Sequence, residues 1–222
     1  MNAKALLWDM DGTLLDTAEH HFAAWREWAT GAGYPFTPAD FAATFGMRNP
    51  EVIRKLFHAT ASDDDCARIG FEKEELYRMA VRRDGTALLP GVRTLLEAAQ
   101  SAGWKQAIGS SAPRANIELL LDVTGIRALI DAVVSGDDVQ RGKPAPDVFL
   151  VGAARLDVPG SRCIVLEDAV VGILAARAAN MHCVAITIAS HHTAESLRRA
   201  GATRVVRTLE DVALPELEEL LR

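Results

Sequence analysis

A short apolar run that ends in two acids is the feature that most constrains the fold of this chain. Residues 5–8 (Ala-Leu-Leu-Trp) do not alternate with polar residues, which predicts a strand buried on both faces, as in a parallel sheet. Asp9 and Asp11 follow, and side chains two apart on extended backbone point to the same side. Gly12 lets the backbone turn away there. Converging carboxylates lose water and repel each other, so they require a cation or a shared proton.

The stretch from residue 18 to residue 86 is predicted to be entirely helical. Apolar residues recur at helical spacing, and no segment carries a strand signal. The acids at 63–65 are expected to begin a helix, since acids are favoured at helix amino ends, and a calcium site is the less favoured alternative. On the charged segment from Glu72 to Arg83, we expect Leu76 and Met79 to face inward.

From Leu88 onward the sequence alternates between strand and helix patterns. Strands separated by helices of this length predict parallel β-α-β units. We therefore expect an α/β fold: a doubly wound, Rossmann-like parallel-sheet core formed by residues 1–16 and 88–222, with a helical domain inserted at 17–87. The later predicted strands are residues 104–109, 132–135, 163–166, 182–188 and 203–206, and the helices between them are 92–103, 114–123, 146–156, 169–179 and 193–200.

Composition limits the classes of partner. A net charge of −6 and a pI near 5.5 argue against a nucleic-acid partner, because phosphate backbones require a basic face. The longest apolar runs fall short of a membrane span, and residues 1–4 leave no room for a signal peptide. The three cysteines are widely spaced and are expected to be buried, reduced thiols. We expect a cytoplasmic protein, either a monomer or a weak homodimer, without membrane partners.

Polar groups follow four of the predicted strands. Taken singly, each has a plain structural explanation: a serine caps a helix, a lysine is solvated, and an acid pair starts a helix. A doubly wound sheet brings the carboxyl ends of its strands together, which favours one shared ligand site. The groups are Asp9 with Asp11, Ser110 with Ser111, Lys143, and Glu167 with Asp168.

These segments resemble the four signatures of the haloacid dehalogenase (HAD) superfamily. Residues 9–16, Asp-Met-Asp-Gly-Thr-Leu-Leu-Asp, resemble the first signature, D-x-D-G-T-L-x-D. Ser111 resembles the second, Lys143 in Gly-Lys-Pro-Ala-Pro-Asp the third, and Val-Leu-Glu-Asp at 165–168 the fourth. The resemblance spans residues 5–210 and is nearest to the β-phosphoglucomutase-like branch, with the helical insertion in the place of that family's type 1 cap.

The resemblance implies a set of residue roles. Asp9 is expected to be the nucleophile and Asp11 the general acid/base. The implied cofactor is Mg²⁺, held by Asp9, the Asp11 carbonyl and Asp168, with Glu167 acting through water. The phosphate of a small-molecule ester is expected to contact Ser111, the Ala112 amide, Lys143 and Gly12.

Residues of the insertion are candidates for closure over the substrate and for its recognition. Thr17 and His21 occur where mutases of the family control closure, although His21 has a purely structural alternative. The loop at 45–50 resembles the specificity loop, but mutases carry a lysine directly before the glycine and an arginine one residue later than this chain does. The remaining candidates are Gly46, Arg48 and Lys73, the last with a solvent-facing alternative.

The favoured function is a magnesium-dependent phosphohydrolase that forms an aspartyl-phosphate, and the alternative is a β-phosphoglucomutase-type phosphomutase. A P-loop is excluded, because five residues separate Gly136 from Gly142 and Pro144 replaces the required serine or threonine. A dehalogenase has no need for Asp11. A receiver-like signalling domain and a non-catalytic binding protein are the minor alternatives.

Overall fold

Residues 3–222 are described by the computed structural model; Met1 and Asn2, with which the predicted core begins, lie outside the described residues. The strands there are β1 (Ala5–Trp8), β2 (Lys105–Gly109), β3 (Ala132–Val134), β4 (Cys163–Glu167), β5 (His182–Ile186) and β6 (Arg204–Val206). They form one parallel sheet in the order β3-β2-β1-β4-β5-β6. The order reverses at β1, which places the ligand crevice of such a sheet beside the end of this strand. The predicted doubly wound fold is confirmed.

The described helices flank this sheet and form the insertion. They are α1 (Ala18–Ala32), α2 (Pro38–Ala42), α3 (Asn49–Leu56), α4 (Asp63–Asp84), α5 (Val92–Ser101), α6 (Arg114–Thr124), α7 (Asp147–Arg155), α8 (Val170–Ala178), α9 (Ala194–Ala200) and α10 (Leu214–Glu219). The short helices α2 and α10 were not predicted. The other helices and all strands lie where the sequence placed them.

Alternate side chains of β1 enter two separate apolar cores. Leu6 and Trp8 pack with α5, α6 and α10 on one face, whereas Leu7 packs with α7, α8 and α9 on the other. All three side chains are at most 1% exposed. Full burial of a leucine contributes about 2 kcal/mol, so an uninterrupted apolar run is what a strand between two helical layers requires.

Helices α1, α3 and α4 of the insertion share an apolar cluster of their own. Trp25, Val52 and Ile53 pack together there, away from the sheet. Near its end α4 also contacts the main core through Tyr77 and Val81. This division supports the proposed boundaries, with the inserted domain at 17–87 and the core at 1–16 and 88–222.

The buried face of α4 differs from the prediction. The acids at 63–65 begin the helix as expected, and Asp65 forms a reciprocal cap with Ser62. However, Met79 is 62% exposed, so its predicted inward orientation is wrong. The helix instead buries Lys73 and Glu74, because partners on neighbouring helices satisfy these charged groups.

Two composition-based expectations can be compared with the structure. Within residues 3–222, no helix combines the length and the apolar character needed to cross a bilayer. Cys66, Cys163 and Cys183 are buried and unpaired, as predicted.

Candidate active site

The carboxyl ends of β1 and β4 bring three acids together. Asp9 directly follows β1, and its backbone N–H donates to the Leu166 carbonyl over 2.9 Å, which holds it against β4. Glu167 ends β4 and Asp168 follows it. Carboxylate oxygens of Asp9, Glu167 and Asp168 all lie within 4.8 Å of one another, and all three residues are buried. Acids from remote parts of the sequence therefore meet as the pattern predicted.

One oxygen of this cluster has no protein partner. Asp168 Oδ2 is buried and accepts no hydrogen bond from the described residues. A Cβ at Gly12 would lie 2.3 Å from that oxygen, and Gly12 has a φ of +89°. Only glycine satisfies both conditions, so the turn after β1 is built to approach Asp168 closely. A buried, unpartnered carboxylate oxygen beside two further acids fits a divalent cation with oxygen ligands, such as Mg²⁺.

Lys143 enters the same cluster from the loop after β3. Its Nζ lies 2.5 Å from Asp9 Oδ1 and 2.7 Å from Glu167 Oε1. Glu167 uses its other oxygen, Oε2, to accept the backbone N–H groups of Asp168 and Ala169, both over 2.7 Å. One lysine thus faces three carboxylates, and the cluster holds an excess of negative charge.

The pKa values reflect that excess. Burial, together with the nearby charge of Glu167, raises the pKa of Asp9 to about 8 although Lys143 opposes the shift. Burial and the neighbouring carboxylates raise the pKa of Asp168 well above its usual range. Burial alone would lower the pKa of Lys143, but Asp9 and Glu167 outweigh it and raise that pKa. The lysine therefore stays charged, whereas the acids need a further cation or protons.

Asp11 lies on the side of the site that faces the insertion. Its Oδ1 accepts a hydrogen bond from Thr17 Oγ1 over 2.5 Å and lies 3.2 Å from His21 Nε2. His21 Nδ1 lies 2.8 Å from Lys73 Nζ, and an ammonium group can only donate. In this arrangement His21 Nδ1 faces the Lys73 ammonium group and Nε2 faces the Asp11 carboxylate. The ring also stacks on Tyr77, with the ring centroids 4.0 Å apart.

These contacts set the protonation of Asp11. Burial would raise its pKa, but His21, Thr17 and Lys73 together lower it. The structure thus gathers three of the predicted closure and recognition residues around this carboxylate. The solvent-facing alternative for Lys73 is wrong, because its side chain is buried.

A buried polar network behind Lys73 was not predicted. Glu74 Oε1 accepts from Lys73 Nζ and from Asn49 Nδ2, both over 2.9 Å. Its Oε2 accepts from Asn116 Nδ2 over 2.6 Å, and Arg78 donates to Asn116 Oδ1 over 2.7 Å. Burial would raise the pKa of Glu74, but Lys73 and these donors lower it to about 2. The available signal was the helical spacing of residues 66, 69, 70, 73, 74, 77, 78 and 81, which defines one face of α4.

Two cavities lie between the sheet and the insertion. The smaller, about 60 Å³, is lined by Asp11, His21, Lys73, Ser111 and Ala112 among others. The larger, about 470 Å³, adjoins it, and the two share Asn49, Glu74, Ser111 and Pro113 as lining residues. Ser111 thus lines both cavities, and in the smaller one it does so together with Asp11. The Ala112 N–H donates to Ser110 Oγ over 3.0 Å.

The loop at 45–50 connects the insertion to the core. Arg48 donates from Nη1 to the Val139 carbonyl over 3.1 Å and from Nη2 to the Gln140 carbonyl over 3.3 Å. Its Nε lies 3.4 Å from Glu51 Oε1. Gly46 has a φ of +87° and packs near Ala169, directly after the acid pair. The Arg48 guanidinium group is therefore hydrogen-bonded to the loop that precedes Lys143.

Comparisons with known proteins agree with this geometry. Residues 3–180 match the family described as haloacid dehalogenase-like hydrolases. The fructose-1-phosphate phosphatase YqaB of Escherichia coli is 36% identical over 185 residues, which cover 82% of this chain and 96% of that protein. The β-phosphoglucomutase of Bacillus subtilis is 31% identical over 224 residues, which cover 97% of this chain and 94% of the mutase.

A solved structure extends the likeness to three dimensions. An aspartate-to-asparagine mutant of CbbY from Rhodobacter sphaeroides, in complex with xylulose-(1,5)bisphosphate, superposes with a TM-score of 0.85 at 26% identity, covering 95% of this chain and 96% of that one. The chain also matches a region that makes up 18% of the length of a larger Arabidopsis thaliana protein.

Proposed function

The chain belongs to the haloacid dehalogenase-like hydrolases, and from that premise we propose that it is a magnesium-dependent phosphatase of a small phosphorylated metabolite, such as a sugar phosphate. The observation that carries the proposal is the acid cluster itself. Asp9, Glu167 and Asp168 converge around an unpartnered carboxylate oxygen, and Lys143 lies beside the proposed nucleophile, Asp9. The phosphatase among the relatives supports the same reaction class.

The proposed metal ligands are Asp9, Asp168 and the Asp11 carbonyl, with Glu167 acting through water. When bound, Mg²⁺ would screen the repulsion between an attacking carboxylate and a phosphate ester. Lys143 and Ser111 would neutralise and hydrogen-bond the oxygens of the transferring group. The Ala112 amide could join them by sharing its hydrogen between the phosphate and Ser110.

In the first step, a carboxylate oxygen of Asp9 forms a bond to phosphorus, and the bond from phosphorus to the ester oxygen breaks. Asp11 donates a proton to that leaving oxygen. Because the incoming phosphate brings negative charge close to Asp11, it raises the pKa of this carboxyl and favours the protonated form. Thr17 and His21 hold the carboxyl in place for the transfer.

In the second step, Asp11 accepts a proton from water, and the water oxygen attacks phosphorus. The bond from phosphorus to Asp9 breaks, which releases inorganic phosphate and restores both acids. Asp11 therefore acts first as an acid and then as a base. Its lowered resting pKa suits the second role.

A phosphomutase is the second candidate, because the likeness to the Bacillus subtilis mutase extends over 97% of this chain. The deciding experiment is a screen of phosphorylated metabolites that includes β-glucose 1-phosphate with trace glucose 1,6-bisphosphate. Release of inorganic phosphate supports the phosphatase, and formation of glucose 6-phosphate supports the mutase.

The metal requirement has its own test. We expect hydrolysis of p-nitrophenyl phosphate to stop in excess chelator and to return when Mg²⁺ is restored. Undiminished hydrolysis in chelator would contradict the metal assignment. Within the same proposal, the three buried thiols suit a cytoplasmic enzyme, and we retain a monomer or a weak homodimer as its state.

A further inference from the structure

The smaller cavity between core and insertion is lined by charges that already balance one another. Its lining includes Asp11, the residue proposed to protonate the leaving group. Its lining contains one lysine, Lys73, whose Nζ lies 2.9 Å from Glu74 Oε1. The lining also holds two acids, Asp11 and Glu74, so Lys73 and His21 together bring no excess of positive charge.

The charges that line the larger adjoining cavity also balance one another. Its lining holds two arginines, Arg48 and Arg78, and two acids, Glu74 and Asp137. Arg48 donates to backbone carbonyls of the 136–140 loop and pairs with Glu51. Arg78 donates to Asn116 and pairs with Glu75. Each of the three cations that line the two cavities is thus engaged by a protein acceptor.

The phosphoryl site differs from both cavities in one respect. Its acids outnumber its lysine, and within residues 3–222 they form the one carboxylate cluster with the geometry of a metal site. A divalent cation can therefore accompany the phosphate that reacts. Neither cavity has a carboxylate cluster that could hold a neutralising cation. A second phosphate there would therefore have to displace the present partners of Lys73, Arg48 or Arg78.

We infer that the substrate carries a single phosphoryl group and leaves behind an uncharged product, such as the hydroxylated carbon chain of a sugar. This inference rests on the proposed function and refines its substrate class. Walls from Trp25 and Phe45 in the smaller cavity and Phe71 in the larger one provide apolar surface for such a chain. The selectivity separates this enzyme from CbbY of Rhodobacter sphaeroides, a mutant of which is in complex with a bisphosphate.

The test compares esters that differ only in the second phosphate. Phosphate release from fructose 1-phosphate and from fructose 1,6-bisphosphate is measured with Mg²⁺, and the glucose 1-phosphate and glucose 1,6-bisphosphate pair is treated in the same way. We expect kcat/KM for the better monophosphate to exceed that for its bisphosphate by about tenfold or more, because an unmatched charge is costly in such a cavity. Equal efficiencies, or a preference for the bisphosphate, would overturn the inference.

A gain-of-charge variant adds an independent test. Ala115 is exposed at the wall of the larger cavity, and Ala154 is exposed on α7, across the sheet. We expect A115K to narrow the preference for the monophosphate by about threefold or more, because it supplies an uncommitted cation, and A154K to leave it unchanged. An unchanged preference in A115K would contradict the inference.

The two proposals fail in different ways. Hydrolysis of p-nitrophenyl phosphate but of neither sugar monophosphate would support the phosphatase and contradict the substrate class. Hydrolysis of none of these esters would overturn the phosphatase and, with it, the inference.

Discussion

Two buried polar regions of this molecule differ in how their charges are balanced. At the carboxyl edge of the sheet, Asp9, Glu167 and Asp168 share one lysine, and an oxygen of Asp168 has no partner. On the buried face of α4, Glu74 accepts three hydrogen bonds, one of them from Lys73. The excess of negative charge in the first region favours binding of a cation, and with it a phosphate. The balanced charges of the second region stabilise the fold.

The largest expected effect is the loss of phosphoryl transfer in Asp9→Asn. Removal of the nucleophile should lower kcat for p-nitrophenyl phosphate by about 10⁴-fold or more.

The same substitution should raise the melting temperature in chelator, because it removes one of several crowded buried carboxylates. Phosphate release and thermal unfolding measure the two effects. Asp122→Asn, at an exposed position on α6, is the matched control. A variant with normal turnover would place the nucleophile elsewhere.

A smaller loss of rate is expected for Lys143→Ala. Without this ammonium group the transferring oxygens lose a charged donor, which should raise the barrier by about 3 kcal/mol, or on the order of 10²-fold in kcat. Lys105→Ala removes an exposed lysine that pairs with Asp131 and should leave the rate near that of the parent protein. A similar loss in both variants would mean that net charge, and not position, is responsible.

Loss of a charge from the balanced network on α4 should lower the stability of the fold. Glu74→Gln leaves Lys73 buried without its carboxylate and should lower the free energy of unfolding by about 3 kcal/mol. Glu75→Gln alters the neighbouring, half-exposed acid and should lower the free energy of unfolding much less, because solvent screens an exposed ion pair. Urea unfolding measures both variants. If Glu74→Gln were as stable as Glu75→Gln, the α4 network would not support the fold.

The two regions should also differ in the sign of their pH dependence. The folded pKa of Glu74 is lowered to about 2 from 4.5, so its stabilisation is present above pH 4.5 and is lost as the pH falls toward 2. The folded pKa of Asp9 is raised from 3.8 to about 8, so its contribution favours the fold below pH 3.8 and is lost as the pH rises through 8. In chelator, Glu74→Gln should flatten the acid side of the stability profile and Asp9→Asn the neutral to alkaline side. The reverse assignment would contradict the comparison.

The sequence predicted the core better than the insertion, for a physical reason. Apolar strands followed by turn residues are visible in the local sequence. Because the carboxyl ends of parallel strands lie at one edge of the sheet, the proximity of Asp9, Lys143 and Asp168 could be predicted. The burial of Lys73 depends instead on His21 and Glu74, and that of Glu74 on Asn116 of α6. No periodicity reveals such long-range partners, which is why Met79 was placed inside and Glu74 was overlooked.

Trapping the covalent intermediate tests the central claim most directly. The protein is mixed with p-nitrophenyl phosphate and Mg²⁺, quenched in acid and reduced with borohydride, which converts an aspartyl-phosphate to homoserine. Peptide mass spectrometry then locates the change. We predict conversion at residue 9, dependent on Mg²⁺ and absent in Asp168→Asn. Hydrolysis that proceeds with the modification at another residue, or with none, would contradict the account.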